Sequence, residues 1–168
     1  MYFFNSFKNF VKTKTVGFDF GNKEKELFIK NVVNYFCGKT TTLDTKKGLL
    51  IQGGIGSGKT STLKLIQLWT PNSDRFMYNP CQNVVSDYNA GGDEIMELYK
   101  KHKERMFDDL GTERIGKYYG NNVETMQEII MARYDLYRYQ GIKTHITTNL
   151  NNEQILERYG ERAYDRLK

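Results

Sequence analysis

Residues Gly53–Thr62 read GGIGSGKTST, between the apolar run Leu49, Leu50, Ile51 and the apolar positions Leu63, Ile66 and Trp69. The first flank predicts a strand and the second a helix, so the quoted stretch is the loop that joins them. Gly53, four residues, Gly58, Lys59 and Thr60 complete the phosphate-loop signature with both required neighbours present. The spacing has a physical reason. Glycines let the backbone turn its N–H groups inward around an anion, and the following helix presents the positive end of its dipole. The expected cradle is Gly53, Gly54, Ile55, Gly56, Ser57, Gly58, Lys59, Thr60 and Ser61. Lys59 is expected to reach the outer phosphates and Thr60 to offer its hydroxyl to Mg²⁺, so a nucleoside triphosphate with magnesium is the ligand implied.

Composition narrows the remaining possibilities. A chain of 168 residues with 39% hydrophobic content suits one domain with a proper core, and it shows no repeat or low-complexity segment. MYFFNSFKNFVK at the start lacks the apolar core of a signal peptide and the length of a membrane span, so a cytoplasmic protein is expected, with no membrane partner. Cys37 and Cys81 form no Cys-x-x-Cys pair, and His102 and His145 stand alone, which argues for reduced thiols and no built-in metal site. Any metal arrives with the nucleotide. A net charge of +5 is compatible with a polyanionic partner without establishing one.

Along the chain, Asn22 reads as a helix cap followed by Phe28, Val32, Val33, Tyr35 and Phe36, with Gly38 as the stop. A strand is expected over 48–52. Pro71, Asn72 and Ser73 end the helix after the phosphate loop, and Phe76 to Tyr78 form a short strand stopped by Pro80. Two helical stretches follow, around Val84, Val85 and Tyr88 and around Ile95, Met96, Leu98 and Tyr99, broken at Gly91 and Gly92. Asn122 is expected to precede a long amphipathic helix closed by Gly141, and 143–148 to form another strand.

RMFDDL, Arg105 to Leu110, reads as a strand that ends in two carboxylates, although its approach is less apolar than a central strand requires. Open parallel sheets place ligands beyond the carboxyl ends of their strands. There, Asp108 can hold the magnesium shell and Asp109 can orient or deprotonate the attacking water. Asn149, after KTHITT, could touch the terminal phosphate or could open a turn, since Asn151 with Gln154 resembles a capping box. Arg162 and Arg166 share a face beyond Gly160, where arginine suits a transferring phosphoryl group and equally suits a solvated helix.

GGIGSGKT, FDDLGTE, THITTNL and YGERAYDRL, in this order, resemble the core motifs of AAA+ ATPases of the DnaC/IstB type. That family comprises bacterial and phage replicative-helicase loaders and the ATPase helpers of certain transposases. The resemblance spans 18–168 and implies a P-loop NTPase three-layer α/β sandwich, its mostly parallel sheet flanked by helices, an AAA+ core without a helical lid. It also implies Asp108 as the magnesium carboxylate, Asp109 as the water-activating one where many relatives have glutamate, and Asn149 as sensor of the terminal phosphate. Arg166, supported by Arg162, matches the arginine inserted into the next subunit's site. Lys59, Asp108, Asp109, Asn149 and Arg166 are therefore the catalytic set, and Thr60 and Asp108 the metal ligands.

Two features differ from the family pattern. Only about fifty residues precede the loop, where loaders usually carry a helicase-gripping domain, and the family's chain continues beyond the arginine motif into a strand. The expectation is a single domain over 1–168 with an N-terminal extension at 1–20, either a fragment or a core lacking that last strand. The function implied is slow, assembly-dependent ATP hydrolysis in DNA replication as a helicase-loader-like factor, with a helicase or transposase as partner. Single-stranded DNA contact would use the tyrosines around Tyr118, Tyr119 and Tyr134 to Tyr139, with Lys117, Arg133 and Arg138. A transposase helper, a nucleotide switch with negligible hydrolysis and a phosphate-loop kinase are the alternatives.

Overall fold

The computed structural model describes residues 2–15, 18–71, 75–101 and 103–168. Its twelve elements are α1 (Tyr2–Lys14), α2 (Lys23–Phe36), β1 (Leu50–Gln52), α3 (Lys59–Trp69), β2 (Met77–Pro80), α4 (Cys81–Lys100), β3 (Arg105–Leu110), β4 (Gly116–Tyr118), β5 (Asn121–Val123), α5 (Thr125–Gln140), β6 (Thr144–Thr148) and α6 (Asn152–Leu167). They divide into two compact units, one of residues 1–47 with 61–75 and one of 48–60 with 76–168.

In the first unit, Phe4, Phe7 and Val11 recur at helical spacing along α1 and are buried, as are Ile29, Val32 and Val33 on α2. The Phe7 ring meets Trp69 edge-on at 5.6 Å, and Lys8 pairs with Glu26. Helix α1 occupies the segment expected only as an extension. Asn22 caps α2 as expected, its side chain accepting from the Lys25 amide.

The second unit holds a four-stranded, wholly parallel sheet in the order β1-β6-β3-β2, and a separate antiparallel ribbon, β4-β5. Parallel neighbours need crossover helices, and such strands are buried on both faces. Phe107, Leu110, Ile146, Met126, Ile129 and Ile155 share one core under α4, α5 and α6. Each such side chain contributes about 1.5–3 kcal/mol by leaving water. β3 tolerates its polar start because Arg105 is itself buried, donating to Asn79 Oδ1 at 3.0 Å and to the Leu98 carbonyl at 2.6 Å.

Several boundaries move. Strand β1 begins at Leu50, two residues later than expected, and Pro80 ends β2 from inside it before serving as the cap position of α4. The break in α4 falls on Gly92 alone (φ 60, ψ −144), where an added Cβ would lie 2.3 Å from the Tyr118 ring. Asn122 does not cap α5. It lies in β5, paired with Lys117, and the cap position belongs to Glu124, which makes no side-chain cap bond. The Asn151–Gln154 capping box opens α6, and Gly160 interrupts that helix at φ 77. Helix α3 ends at Trp69; Asn72, Ser73 and His102, named in the sequence reading, lie outside the described residues. Among the described residues no helix is long and apolar enough to cross a membrane.

Candidate nucleotide site

Strand order brings the motifs together. β1 runs into the glycine loop, β6 beside it ends one residue before Asn149, and β3 beyond that carries Asp108 and Asp109 just before its last residue, Leu110. All three lie at carboxyl ends of parallel strands, where open α/β sheets bind ligands.

The loop turns through Gly56 (φ 79) and Gly58 (φ 89), conformations that glycine adopts without a Cβ penalty. Ile55 stands almost fully exposed at its tip, and Cβ atoms added at Gly54 or Gly56 would meet nothing within 4 Å, so the loop faces open space. Lys59 opens α3 and is buried. Its ammonium donates to the carbonyls of Gly53 (2.6 Å) and Gly54 (3.0 Å) and to Asn149 Oδ1 (2.7 Å), with Ser57 Oγ at 3.5 Å. The loop lysine and the amide at the end of β6 are thus in direct contact. Ser61, the next residue of α3 after Thr60, is exposed.

Asp108 is 3% exposed, and three hydroxyls answer the cost of burying its charge. Thr60 Oγ1 and Thr147 Oγ1 donate to its Oδ1 at 2.8 and 2.5 Å, and the Tyr78 hydroxyl donates to Oδ2 at 2.7 Å. Burial raises the Tyr78 phenol above its ordinary value, and the Asp108 hydrogen bond raises it further, so Tyr78 keeps its proton and remains the donor. The Thr60 hydroxyl and the Asp108 carboxylate are adjacent hard oxygen donors. That set suits Mg²⁺, which takes oxygen ligands and keeps several waters.

Asp109 is half-buried in left-handed backbone, φ 56, at a cost of about 1 kcal/mol. The turn after it is pinned. Thr112 donates to the Asp109 carbonyl through its amide (3.1 Å) and its hydroxyl (2.8 Å), and the buried Glu113 carboxylate accepts from the Gly111 amide at 2.8 Å. Glu113 also accepts from the Tyr159 hydroxyl and lies 3.1 Å from Arg158, which donates in turn to the Gly111 and Glu113 carbonyls. Helix α6 is thereby fastened to the loop that follows the acidic pair.

Lys59 bonds Asn149 and Thr60 bonds Asp108, so two hydrogen-bonded pairs stand side by side at consecutive residues of α3, with Asp109 following Asp108. Arg162 and Arg166 do not join them: both are exposed beyond Gly160, and the Arg166 guanidinium sits 4.1 Å from the Tyr134 ring centroid. Of the residues suggested for nucleic acid, Lys117, Tyr119, Arg138 and Tyr139 are exposed, whereas Tyr118 is half-buried and packs on Tyr88. Arg133 does not belong with them. It is 1% exposed and donates to Thr144 Oγ1 (2.7 Å) and to the carbonyls of Lys103 (2.9 Å) and Lys143 (3.0 Å). Burial lowers it to about 10, still charged at neutral pH.

Sequence reasoning missed Tyr78 and Thr147. Only the strand register puts their hydroxyls on Asp108. A signal for Thr147 existed in the alternation His145, Ile146, Thr147, Thr148, which sends a polar side chain to each face of a buried strand.

The fold is an α/β phosphate-loop architecture, a parallel sheet flanked by helices. Among solved structures, the chain is similar to a primosome component from Streptococcus pyogenes serotype M3 (TM-score 0.64, 17% identity, 89% of this chain and 77% of that one). It is also similar to the DnaC helicase loader (TM-score 0.58, 21% identity, 88% and 86% covered). The replication initiator DnaA bound to AMPPCP and single-stranded DNA gives TM-score 0.58 at 15% identity, over 94% of this chain and 46% of that one. At these identities the likeness is one of fold. No protein-family model matches the chain, and no match is found among curated proteins.

Proposed function

We propose that this chain is a DnaC-type AAA+ protein that binds MgATP, hydrolyses it slowly, and acts in DNA replication as a helicase-loader-like factor. The observation that carries the reading is the convergence of Lys59, Thr60, Asp108 and Asn149 from three adjacent strand ends onto one glycine loop.

The acceptors around Lys59 are two main-chain carbonyls, an amide oxygen and the Ser57 hydroxyl, all neutral. A charged phosphate oxygen is the stronger acceptor, so a triphosphate tail displaces them and takes the ammonium. Asn149, released from Lys59, then donates its amide to the terminal phosphate. Asp109 accepts a proton from the attacking water or orients it. Thr60 and Asp108 would hold a Mg²⁺ ion, which would supply charge neutralisation to the phosphate oxygens. The likeness to a DnaA structure holding AMPPCP supports a nucleotide at this loop. Arg166 serves a neighbouring copy's site, and single-stranded DNA meets Lys117, Tyr119, Arg138 and Tyr139, basic and aromatic residues that are each exposed.

The test is titration of the chain with a fluorescent ATP analogue and Mg²⁺, alongside Lys59→Ala. Saturable binding is expected, weakened more than tenfold by the substitution, since a charge-assisted bond to phosphate is lost. Absence of saturation in the unsubstituted chain, or equal affinity in both, overturns the assignment. Phosphate release, with and without single-stranded DNA or a small phosphate acceptor, then separates hydrolysis from a binding switch and from kinase chemistry.

A further inference from the structure

In an undistorted strand, Asp108 and Asp109 would point to opposite faces of the sheet, because successive side chains alternate. β3 is distorted at that pair. Its register against β6 runs Phe107 to Ile146 and resumes at Leu110 to Thr148, so that three steps along β3 match two along β6. One extra residue is accommodated, as in a β-bulge, and the two acidic residues face a single opposite number, Thr147. The extra length is taken up by Asp109 at φ 56.

Thr147 is fully buried, and its one hydroxyl works in both directions. It donates to Asp108 Oδ1 at 2.5 Å and accepts from the Asp109 amide at 3.0 Å. The amide that the bulge removes from the regular ladder therefore finds its acceptor in this side chain, which a buried N–H requires. Thr147 also lies two residues before Asn149, so the end of β6 positions both the proposed phosphate sensor that follows it and the pin for the carboxylates.

We infer that Thr147 is a positioning residue for both acidic groups: its hydroxyl fixes the orientation of Asp108 and closes the bulge that carries Asp109. The inference rests on the nucleotide site proposed above and deepens it. Tyr78 completes the arrangement from the other side through Oδ2, independently of the bulge.

Valine matches threonine in shape but removes both bonds, whereas serine keeps the hydroxyl and loses only a methyl. The experiment measures affinity of the full chain for a fluorescent ATP analogue in excess EDTA and in Mg²⁺, for the unsubstituted chain, Thr147→Val, Thr147→Ser and Tyr78→Phe. In EDTA the valine variant is expected within about twofold of the parent, because the lysine cradle is untouched. Its gain in affinity on adding Mg²⁺ is expected to shrink roughly tenfold, the size of one hydrogen bond to a charged group. Serine keeps the gain, and Tyr78→Phe loses part of it. A structural role alone lowers the melting temperature without moving the Mg²⁺ gain, and that result overturns the inference. So does a serine variant that behaves like valine, or a parent chain that binds equally well in both buffers. If the valine variant does not fold, Thr147→Ala carries the same expectation, with Tyr78→Phe as the second measure. A parent chain with no saturable binding in either buffer removes the nucleotide site itself and this inference with it; a normal parent gain that valine leaves intact removes the inference alone.

Discussion

His145 lies fully buried on β6, its Nδ1 accepting from the Leu49 amide at 3.3 Å and its Nε2 3.7 Å from Glu104 Oε2. Burial pushes its pKa below the ordinary histidine value. Glu104 works against that shift, while Lys143 and Arg133 reinforce it. A base depressed by folding takes up its proton more readily in the unfolded chain, so stability is present at neutral pH and declines as pH falls below about 6.5. Glu104 is held below its usual range, chiefly by His145 beside it, and its own loss of stability comes lower, as pH drops through its depressed value. Urea denaturation at pH 7, 6 and 5 is expected to show falling stability, with a shallower fall in His145→Asn, which keeps an acceptor for Leu49. Equal slopes would exonerate His145. Lys59 and Thr60 were legible in the sequence because a phosphate loop needs those side chains at a fixed spacing, and the acidic pair was legible because it closes a strand candidate. Tyr78, Thr147 and the Glu113 fastening were not, because their partners are set by strand pairing across dozens of residues.

The β4-β5 ribbon shows the same boundary at the level of elements. Tyr118 faces Asn121, leaving Tyr119 (φ 45) and Gly120 (φ 83) as a two-residue turn with both residues left-handed, the signature of a type I′ hairpin. That turn prefers Asn-Gly, and tyrosine in its first position is strained. Replacing the exposed Tyr119 with asparagine is therefore expected to stabilise the chain by about 0.5–1 kcal/mol, read as a higher denaturation midpoint. A destabilised variant would mean that the Tyr119 ring, which meets Tyr118 edge-on at 4.6 Å, outweighs the turn strain. The ribbon escaped the sequence reading because strands of three residues show no measurable alternation, and Asn122 before an apolar helix resembles a cap. Asn22 and the Asn151–Gln154 box were legible for the opposite reason: a cap is satisfied within one turn of its own helix. The Gly92 kink lies between these cases. Its glycine was visible in the sequence, while its purpose, seating Tyr118, depends on a ribbon that was not.

In the proposed ATPase reading, Arg166 belongs to a neighbouring copy's site. In this chain its guanidinium stacks on Tyr134, which also accepts a hydrogen bond from Arg138 at 3.4 Å, while the candidate nucleotide site is built from Lys59, Thr60, Asp108 and Asn149. If Arg166 completes a neighbour's site, turnover per subunit rises with protein concentration, and Arg166→Ala abolishes the rise and lowers assembled turnover on the order of a thousandfold. The stacking contact adds a quantitative consequence. An exposed cation–π pair contributes about 0.5–1 kcal/mol, and that amount is lost when the arginine leaves Tyr134 for the neighbouring copy. Tyr134→Leu removes the competing contact, so half-maximal assembly-dependent turnover should appear at a protein concentration lower by roughly two- to fivefold. Phosphate release across a protein dilution series, for the parent chain and both variants, measures it. An unchanged midpoint in Tyr134→Leu would mean that Arg166 does not travel between Tyr134 and a neighbour, and turnover independent of concentration in the parent chain would make the site self-sufficient.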